Sequence, residues 1–427
     1  MTSALPSLNY LFLDLNSYFA SVEQQENPKL RNRPVAVVPM MTDATCAIAA
    51  SYEAKLYGIK TGTKIFEAKR MCPHLICVLA RHDLYVTYHH RIKAAAEKVL
   101  PINQIWSIDE FDCVLMGRER EPETARALAE KMKQSIATEV GPYVTASIGL
   151  APNSFLAKVA TEMQKPDGLV ILQREDLPGP LLRLKLTDLP GIGVNMARRL
   201  RRAGVETIEH LWNISPKHAR KIWGNVQGER FWYWLHGYEA VPYPETFPSM
   251  LGHSRVLDPD LRAPERARLM TRRLLTKAAY RLRRKGYTAN ALVFSTRLLD
   301  GRRWTDERRF PAADDVFTFL SYLDDMWRAF DRYRRTEATL IRLKKISVTL
   351  HGLRLVQDVT GDLLLAGNPE QHRQYQRFQR LAGALDELQE RYQKETVWLG
   401  VVPQTLAGHV GTKIAFSRVP DREEFWN

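Results

Sequence analysis

Four cysteines in 427 residues (Cys46, Cys72, Cys77 and Cys113) form no CxxC pair and no cluster with histidine. A disulfide framework and a structural zinc site are therefore set aside, and reduced thiols are expected. No stretch approaches the roughly 18 consecutive apolar residues of a membrane span. The opening MTSALPSLNY has no basic stretch ahead of an apolar one, so neither an anchor nor a secretory leader is read. Internal repeats and low-complexity tracts are lacking too. Acid is in short supply: 48 Asp+Glu stand against 62 Lys+Arg, a net charge of +14. Such a surplus favours a polyanionic partner. With membranes set aside, that partner is nucleic acid, and a cytoplasmic, nucleoid-associated protein is expected.

What is present reads as several domains of mixed α and β character, as the length suggests. The segment YLFLDLNSYFASVEQQ is a buried strand ending at Asp14 and running into a helix that starts near Ser17. A strand follows at 34–39, then a small-residue stretch (CAIAASYEAK) entering a helix. Two short strands meet around Ser107-Ile108-Asp109-Glu110. A long helix covers about 121–139, a strand 144–151, and a helix then stops at Lys165-Pro166-Asp167-Gly168. That order suggests a split β-α-β domain with a mostly antiparallel sheet.

Strands vanish from about 172. LTDLPGIGVNMARRLRRAG reads as helix–tight turn–helix, SPKHARKIWGNVQGERFWYWLHG as a weaker hairpin, and the Pro-rich run near 241–249 as a linker. Beyond it come a strand, a basic helix (264–285), two strands (289–299 and 303–310), a helix (about 314–333) and a strand (341–350). The remainder is a tail with one amphipathic helix near 371–393. Between Arg255 and Arg309 there are 16 Lys+Arg against 6 Asp+Glu, a net of +10 in 55 residues. Few acids stand at i+4 to balance these bases, so a phosphate-tracking surface is expected there. Trp223, Phe231, Trp232, Tyr233 and Trp234 are expected in a small helical core, and His89 and His90 as solvated residues on a helix.

Asp14 closes an apolar strand, where a lone Asp commonly caps the next helix. Asp109 and Glu110 are adjacent acids in an otherwise apolar hairpin. Adjacent carboxylates repel, and at least one pKa rises unless a cation lies between them. The three suit a hard oxygen-ligand site for magnesium, as used in phosphoryl transfer to a sugar hydroxyl.

The segments DLNSYFASVEQ, RPVAV, ASYEAKLYGIKTGT, EAKRMCP, SIDEF, SIGLAPNSFLAKVATEMQKPDG, LPGIG and GTKIAFSR follow one another as in Y-family DNA polymerases. The chain resembles that family's bacterial polymerase IV-like branch over roughly residues 8–350. The resemblance implies translesion synthesis at low fidelity, with two Mg2+ ions (Mn2+ as a substitute) held by Asp14, Asp109, Glu110 and the Leu15 backbone carbonyl. It places a ribose-excluding aromatic at Phe19, next to Tyr18, and triphosphate contacts at Tyr52, Lys55 and Lys165. Tyr52 and Lys55 are three apart on one helix, as groups converging on one anion should be.

LPGIG and the helix after it resemble a helix–hairpin–helix that offers backbone N–H groups to a DNA phosphate, with Gly191, Gly193 and Arg198 as contacts. A plain helix C-cap would also explain the glycines. GHSRVL resembles a strand that runs along the template, making Ser254, Arg255 and Arg297 candidate DNA contacts. The implied architecture is an α+β right hand: a ferredoxin-like palm (1–18 and 83–171), small fingers (19–82), a helical thumb (172–240), a linker (241–247), an α+β little finger (248–352) and a tail (353–427).

Four positions depart from the pattern: Lys55 for Arg, Asn16 for Asp, Phe111 for Ala and Ser154 for Lys. Lys55 replaces a forked donor with a point charge. Primer–template DNA and a deoxynucleoside triphosphate are the implied partners. The sliding clamp and other damage-response proteins are candidates for the tail. QDVTGDLLL (357–365) lies where a clamp peptide is expected but lacks its aromatic. The competing reading is a polymerase-like accessory scaffold, which the retained acids oppose.

Overall fold

The computed structural model describes residues 8–239, 249–336, 341–358 and 369–392, with a few isolated positions beyond. The expected linker, most of the clamp-like run and GTKIAFSR lie outside the described residues. The chain divides into two compact units, Met1–Pro242 with Lys413–Arg422, and Tyr243–Thr412 with Glu423–Asn427.

The first unit begins with β1 (Tyr10–Leu15) and α1 (Tyr18–Glu26). A small sheet follows, from β2 (Val35–Val38), β3 (Ala49–Ala50), α2 (Tyr52–Lys55), α3 (Ile65–Met71) and β4 (Ile76–Leu79), in the order β3-β2-β4. Then come α4 (His82–Glu97), β5 (Gln104–Ile105), β6 (Glu110–Val114), α5 (Pro122–Glu139), β7 (Ala146–Ala151), α6 (Ser154–Met163) and β8 (Leu169–Ile171). The main sheet is ordered β5-β6-β1-β7-β8, antiparallel except for β7 with β8.

Side chains alternate along β1. Leu11 and Leu13 join Phe111 and Cys113 on one buried face, while Phe12 and Asp14 share the other with Glu110 and Asp112. Helix α6 lies on this second face. Opposite Phe12 stands Gly149, where a Cβ would fall 2.0 Å from the Ala157 carbonyl oxygen and 2.7 Å from the Ala160 Cβ. Only glycine lets the helix approach so closely.

The helical end of this unit contains α7 (Val194–Arg202), α8 (Ile208–Asn213), α9 (Pro216–Trp223) and α10 (Val226–Leu235). Leu156 and Val159 of α6 share one core with Leu189, Ile192, Leu200, Leu211 and Phe231. The arm expected as a helix before LPGIG is a pair of 3-10 turns, Gly179–Arg183 and Leu186–Asp188. Pro178, Pro180 and Pro190 leave too little uninterrupted chain for an α-helix. The hairpin read as weaker is closely packed: a Cβ on Gly228 would meet the Ala219 carbonyl at 2.3 Å. Phe231 is buried and its Trp neighbours half-buried, but Tyr233 is exposed and so falls outside the expected core.

In the second unit β9 (Met250–Val256), α11 (Pro264–Arg284), β10 (Tyr287–Leu298), β11 (Arg303–Ala313), α12 (Val316–Arg335) and β12 (Leu343–His351) form a sheet ordered β11-β10-β12-β9. A short β13 (Arg354–Leu355) pairs with the start of β10. Leu275, Ala278 and Leu282 of α11 and Phe319, Leu323 and Trp327 of α12 cover one sheet face, packing on Leu292, Phe294, Ile346 and Val348. The tail helix α13 (Pro369–Tyr392) docks on the same layer. Its Phe378 stacks on Phe317 with centroids 5.2 Å apart, and Asp386 receives Arg283 at 2.5 Å.

Candidate active site

Asp14 and Glu110 are direct cross-strand partners on β1 and β6, so their carboxylates emerge on one face side by side. Asp109 sits in the turn just before β6. The Leu15 N–H donates to its carbonyl at 2.9 Å, its own N–H donates to Ser107 Oγ at 3.2 Å, and the Ser107 hydroxyl donates to Asp109 Oδ1 at 2.5 Å. Burial raises the pKa of Asp109, and the Asp14 charge adds to this. Glu110 is raised by burial as well, against the pull of Lys158.

That pull comes from a residue the sequence did not single out. Lys158 on α6 forms ion pairs with Asp14, with Glu110 Oε1 at 2.9 Å and with Glu162 at 3.0 Å. Burial alone would lower its pKa, but Asp14, Glu110 and Glu162 outweigh it and hold the ammonium well above its ordinary range. Lys165 adds contacts to Asp14 Oδ2 at 3.0 Å and Glu162 at 2.7 Å. Burial would raise Glu162, yet Lys158 and Lys165 bring it down to about 2.

Among the described residues no three acidic, cysteine or histidine side chains converge as a ready ligand cage. Asp14 and Glu110 nevertheless direct oxygens at one cationic point, the Lys158 Nζ, with Asp109 beside them in the turn. Hard oxygen donors already arranged around a positive charge suit magnesium.

The expected triphosphate residues gather past the end of β1. Lys55 Nζ lies 4.2 Å from the Tyr52 ring centroid, and Tyr52 Oη lies 3.3 Å from the Asn16 side-chain amide. Burial and the nearby Lys165 lower the Lys55 pKa, while burial and Asp14 push Tyr52 up to about 12. Asn16 itself is buried beside Thr145 and Ser147. Phe19 stacks on Tyr85 with centroids 4.3 Å apart. Tyr18 turns inward, its hydroxyl donating to the Tyr85 carbonyl at 2.6 Å, so that hydroxyl is spent inside the fold.

Other residues differ from expectation or were not foreseen. His89, expected in solvent, is 3% exposed, and its Nδ1–H donates to the Ile108 carbonyl at 2.7 Å, propping the turn that carries Asp109. Only His90 is on the outside. Asp112 is a buried acid two positions along β6 from Glu110, and Ser154 donates to it at 2.5 Å. A period-two pattern with an acid on the covered face would have flagged Asp112. Lys158 and Glu162, at i and i+4, look in sequence like any solvated helix pair.

A cleft of about 750 Å³ adjoins this cluster, lined by Glu110, Lys158 and Glu162 on one side and by Leu189-Pro190-Gly191-Ile192-Gly193 on another. Gly191 has φ +87°, a backbone that L side chains rarely adopt, and Gly193 caps α7. Backbone N–H groups at such a turn favour an anion. Arg198 is exposed one turn into α7, its guanidinium 3.4 Å from Asn195 Oδ1.

In the second unit the sheet face away from α11 and α12 carries Ser254 on β9, Lys345, Ser347 and Thr349 on β12, Ser295 and Arg297 on β10, and Arg303, Thr305 and Arg309 on β11. Arg297 stands between Arg303 and Lys345 in register. Arg255, one residue past Ser254, has the opposite parity: its side chain is 9% exposed and pairs with Asp258 at 2.9 Å. Part of the basic excess is likewise spent inside the unit. Arg268 and Arg272 share Asp324, and Arg283 takes Asp386, acids that lie beyond the 255–309 window.

Residues 13–162 match the impB/mucB/samB family, residues 248–363 that family's C-terminal domain, and residues 187–238 the thumb domain described for DNA polymerase iota. DNA polymerase IV of Moorella thermoacetica is 34% identical over 396 residues, covering 91% of this chain and 94% of that protein. DNA polymerase IV 1 of Bacillus subtilis is 31% identical, covering 69% and 71%. A solved Y-family DNA polymerase chimera superposes with a TM-score of 0.67 at 22% identity, covering 81% of this chain and 99% of that one. The chain thus belongs to the Y-family of DNA polymerases, in its DNA polymerase IV-like branch.

Proposed function

We propose that this protein adds deoxynucleotides to a primer 3′-hydroxyl under template direction, by a two-metal phosphoryl transfer of low fidelity suited to damaged templates. The observation that carries the reading is the pairing of Asp14 with Glu110 across β1 and β6, with Asp109 held beside them. Asp14, Asp109, Glu110 and the Leu15 carbonyl would hold magnesium, which when bound supplies an activated 3′-hydroxyl and a clamp on the leaving pyrophosphate. Tyr52, Lys55 and Lys165 bind the triphosphate past the end of β1 and offset its charge. Phe19, fixed against Tyr85, lies under the nucleotide sugar and excludes a 2′-hydroxyl. The glycine turn at 191–193 takes a backbone phosphate on the cleft side.

In domain terms, β1 with α4 to β8 forms the palm, the β3-β2-β4 sheet the fingers, α7 to α10 the thumb, and residues 248–352 of the second unit the little finger. The open face around Arg297, Arg303 and Lys345 contacts phosphates of the duplex, and Ser254 lies on that face. The full-length protein is tested by extending a recessed primer with four dNTPs. Extension that requires magnesium and stops in EDTA is expected. Duplex binding without extension would favour the accessory-scaffold reading instead.

A further inference from the structure

Trp106 lies one residue before the Ser107–Glu110 turn and is 44% exposed. Single exposed apolar side chains are ordinary, but this one is firmly held. Its Nε1–H donates to Asp112 Oδ2 at 2.9 Å. Asp112 is 1% exposed and also accepts from Asn103 Nδ2 at 2.8 Å and Ser154 Oγ at 2.5 Å. A buried carboxylate is costly unless well paired. Here its donors come from the loop before β5, from the residue preceding the turn and from α6. The ring is thereby fixed through its only polar atom while its surface stays open, with Phe12 6.5 Å away between centroids. A rigid exposed indole of this kind is a stacking surface for a base or sugar.

Its place along β1 selects what would pack on it. Tyr52, Lys55 and Lys165 gather beyond Asp14, past the strand's C-terminal end. The indole lies the other way, beside Phe12, two residues before Asp14. In an in-line displacement the attacking hydroxyl and the leaving pyrophosphate lie on opposite sides of the reacting phosphorus. If the triphosphate occupies the Lys165 side, the primer end comes in from the Phe12 side.

We propose, resting on the polymerase reading above, that Trp106 is the platform on which the primer's 3′-terminal nucleotide packs, with Asp112 as the positioning residue that aims it. Extension then depends on the shape of the terminal pair at a position separate from the acids and the triphosphate contacts.

The test uses full-length protein with magnesium, the matching dNTP and a dideoxy-terminated primer carrying 2-aminopurine at its 3′ end. Trp106→Ala is expected to relieve quenching of the probe and to weaken affinity for the primer end about tenfold, the size of one base–aromatic stack. The KM for dNTP on an extendable primer should stay within about twofold, since the triphosphate contacts are intact. Trp106→Met, which keeps apolar bulk for folding without an aromatic face, should show the same weakening, and Trp106→Phe should restore most of the affinity. Asp112→Asn retains an oxygen for the indole and should lie near wild type, whereas Asp112→Leu should resemble Trp106→Ala. Wild-type quenching and primer-end affinity in both Trp106→Ala and Trp106→Met would overturn the assignment. Wild-type protein that fails to extend any primer would instead overturn the polymerase reading.

Discussion

The two principal sheets of this protein both pack helices against strands, and they use charge in opposite ways. On the first, carboxylates are drawn out of water and locked to Lys158 and Lys165 from a single helix and its end. On the second, cations and hydroxyls, with Glu307 among them, line a face left open, while Arg268, Arg272 and Arg283 of α11 are balanced by Asp324 of α12 and Asp386 of α13. Charge taken out of water is strong, exacting in geometry and able to do chemistry; charge left in water is weak and additive and suits a partner of uniform charge. Net charge along the sequence therefore does not reveal which basic residues face a partner.

The sharpest way to break this comparison is to neutralise one residue on the buried side. Asp109→Ala should reduce primer extension by about 10³-fold or more, since on the proposed reading several kcal/mol of transition-state stabilisation would rest on the metal ions it helps to hold. Duplex affinity in a gel shift should change by less than about threefold. Near-wild-type extension would remove Asp109 from the chemistry. A milder change on the same side is Phe19→Ala. An unpaired buried hydroxyl costs about 1–3 kcal/mol, so ribonucleotide exclusion should fall by roughly 5- to 150-fold. An unchanged ratio of dATP to ATP incorporation, with dATP still used, would place the sugar check elsewhere.

The open face should respond in graded fashion. Removing Arg297, Arg303 and Lys345 together should reduce the slope of log K against log salt by about 3, near 0.9 for each phosphate no longer neutralised, without sequence dependence. Arg255→Ala should leave that slope unchanged and lower thermal stability instead, because its partner Asp258 is internal. A reduced slope in Arg255→Ala would contradict the parity assignment.

The smallest effect expected is at acid pH. Glu162 is held at about 2 against an ordinary 4.5, so its contribution to stability is complete above about pH 4.5 and disappears as the pH falls toward 2. Glu162→Gln should therefore shallow the decline in melting temperature across that window. Side-chain exposure of 40% keeps the effect modest. Parallel declines for variant and wild type would mean the ion pairs with Lys158 and Lys165 add nothing.

The acids were legible in the sequence because each sits in a run of apolar residues where charge is unexpected. The main sheet followed from short apolar runs, the order of strands and helices, and the breaks at Pro166 and Gly168. Lys158 was not legible, since a Lys–Glu pair at i and i+4 looks the same whether its helix faces water or a strand of carboxylates. Arg255 could be misassigned because one step along a strand reverses the face, and only the partner strand fixes which residues point out. His89 looked solvated beside His90 because helical neighbours differ by about 100° and the turn it supports lies nineteen residues away.

Gly149 has a consequence beyond packing. The height of α6 above the sheet sets how far Lys158 and Lys165 can reach, and that height is fixed by a missing carbon atom opposite Phe12. A methyl group there would act as a shim, lifting the helix by about an ångström or more and carrying both ammonium groups off Asp14. The acids themselves would stay where they are. On the proposed function, affinity for triphosphate and for divalent ions would then drift together in a Gly149→Ala protein, although residue 149 is not among the residues proposed to hold either.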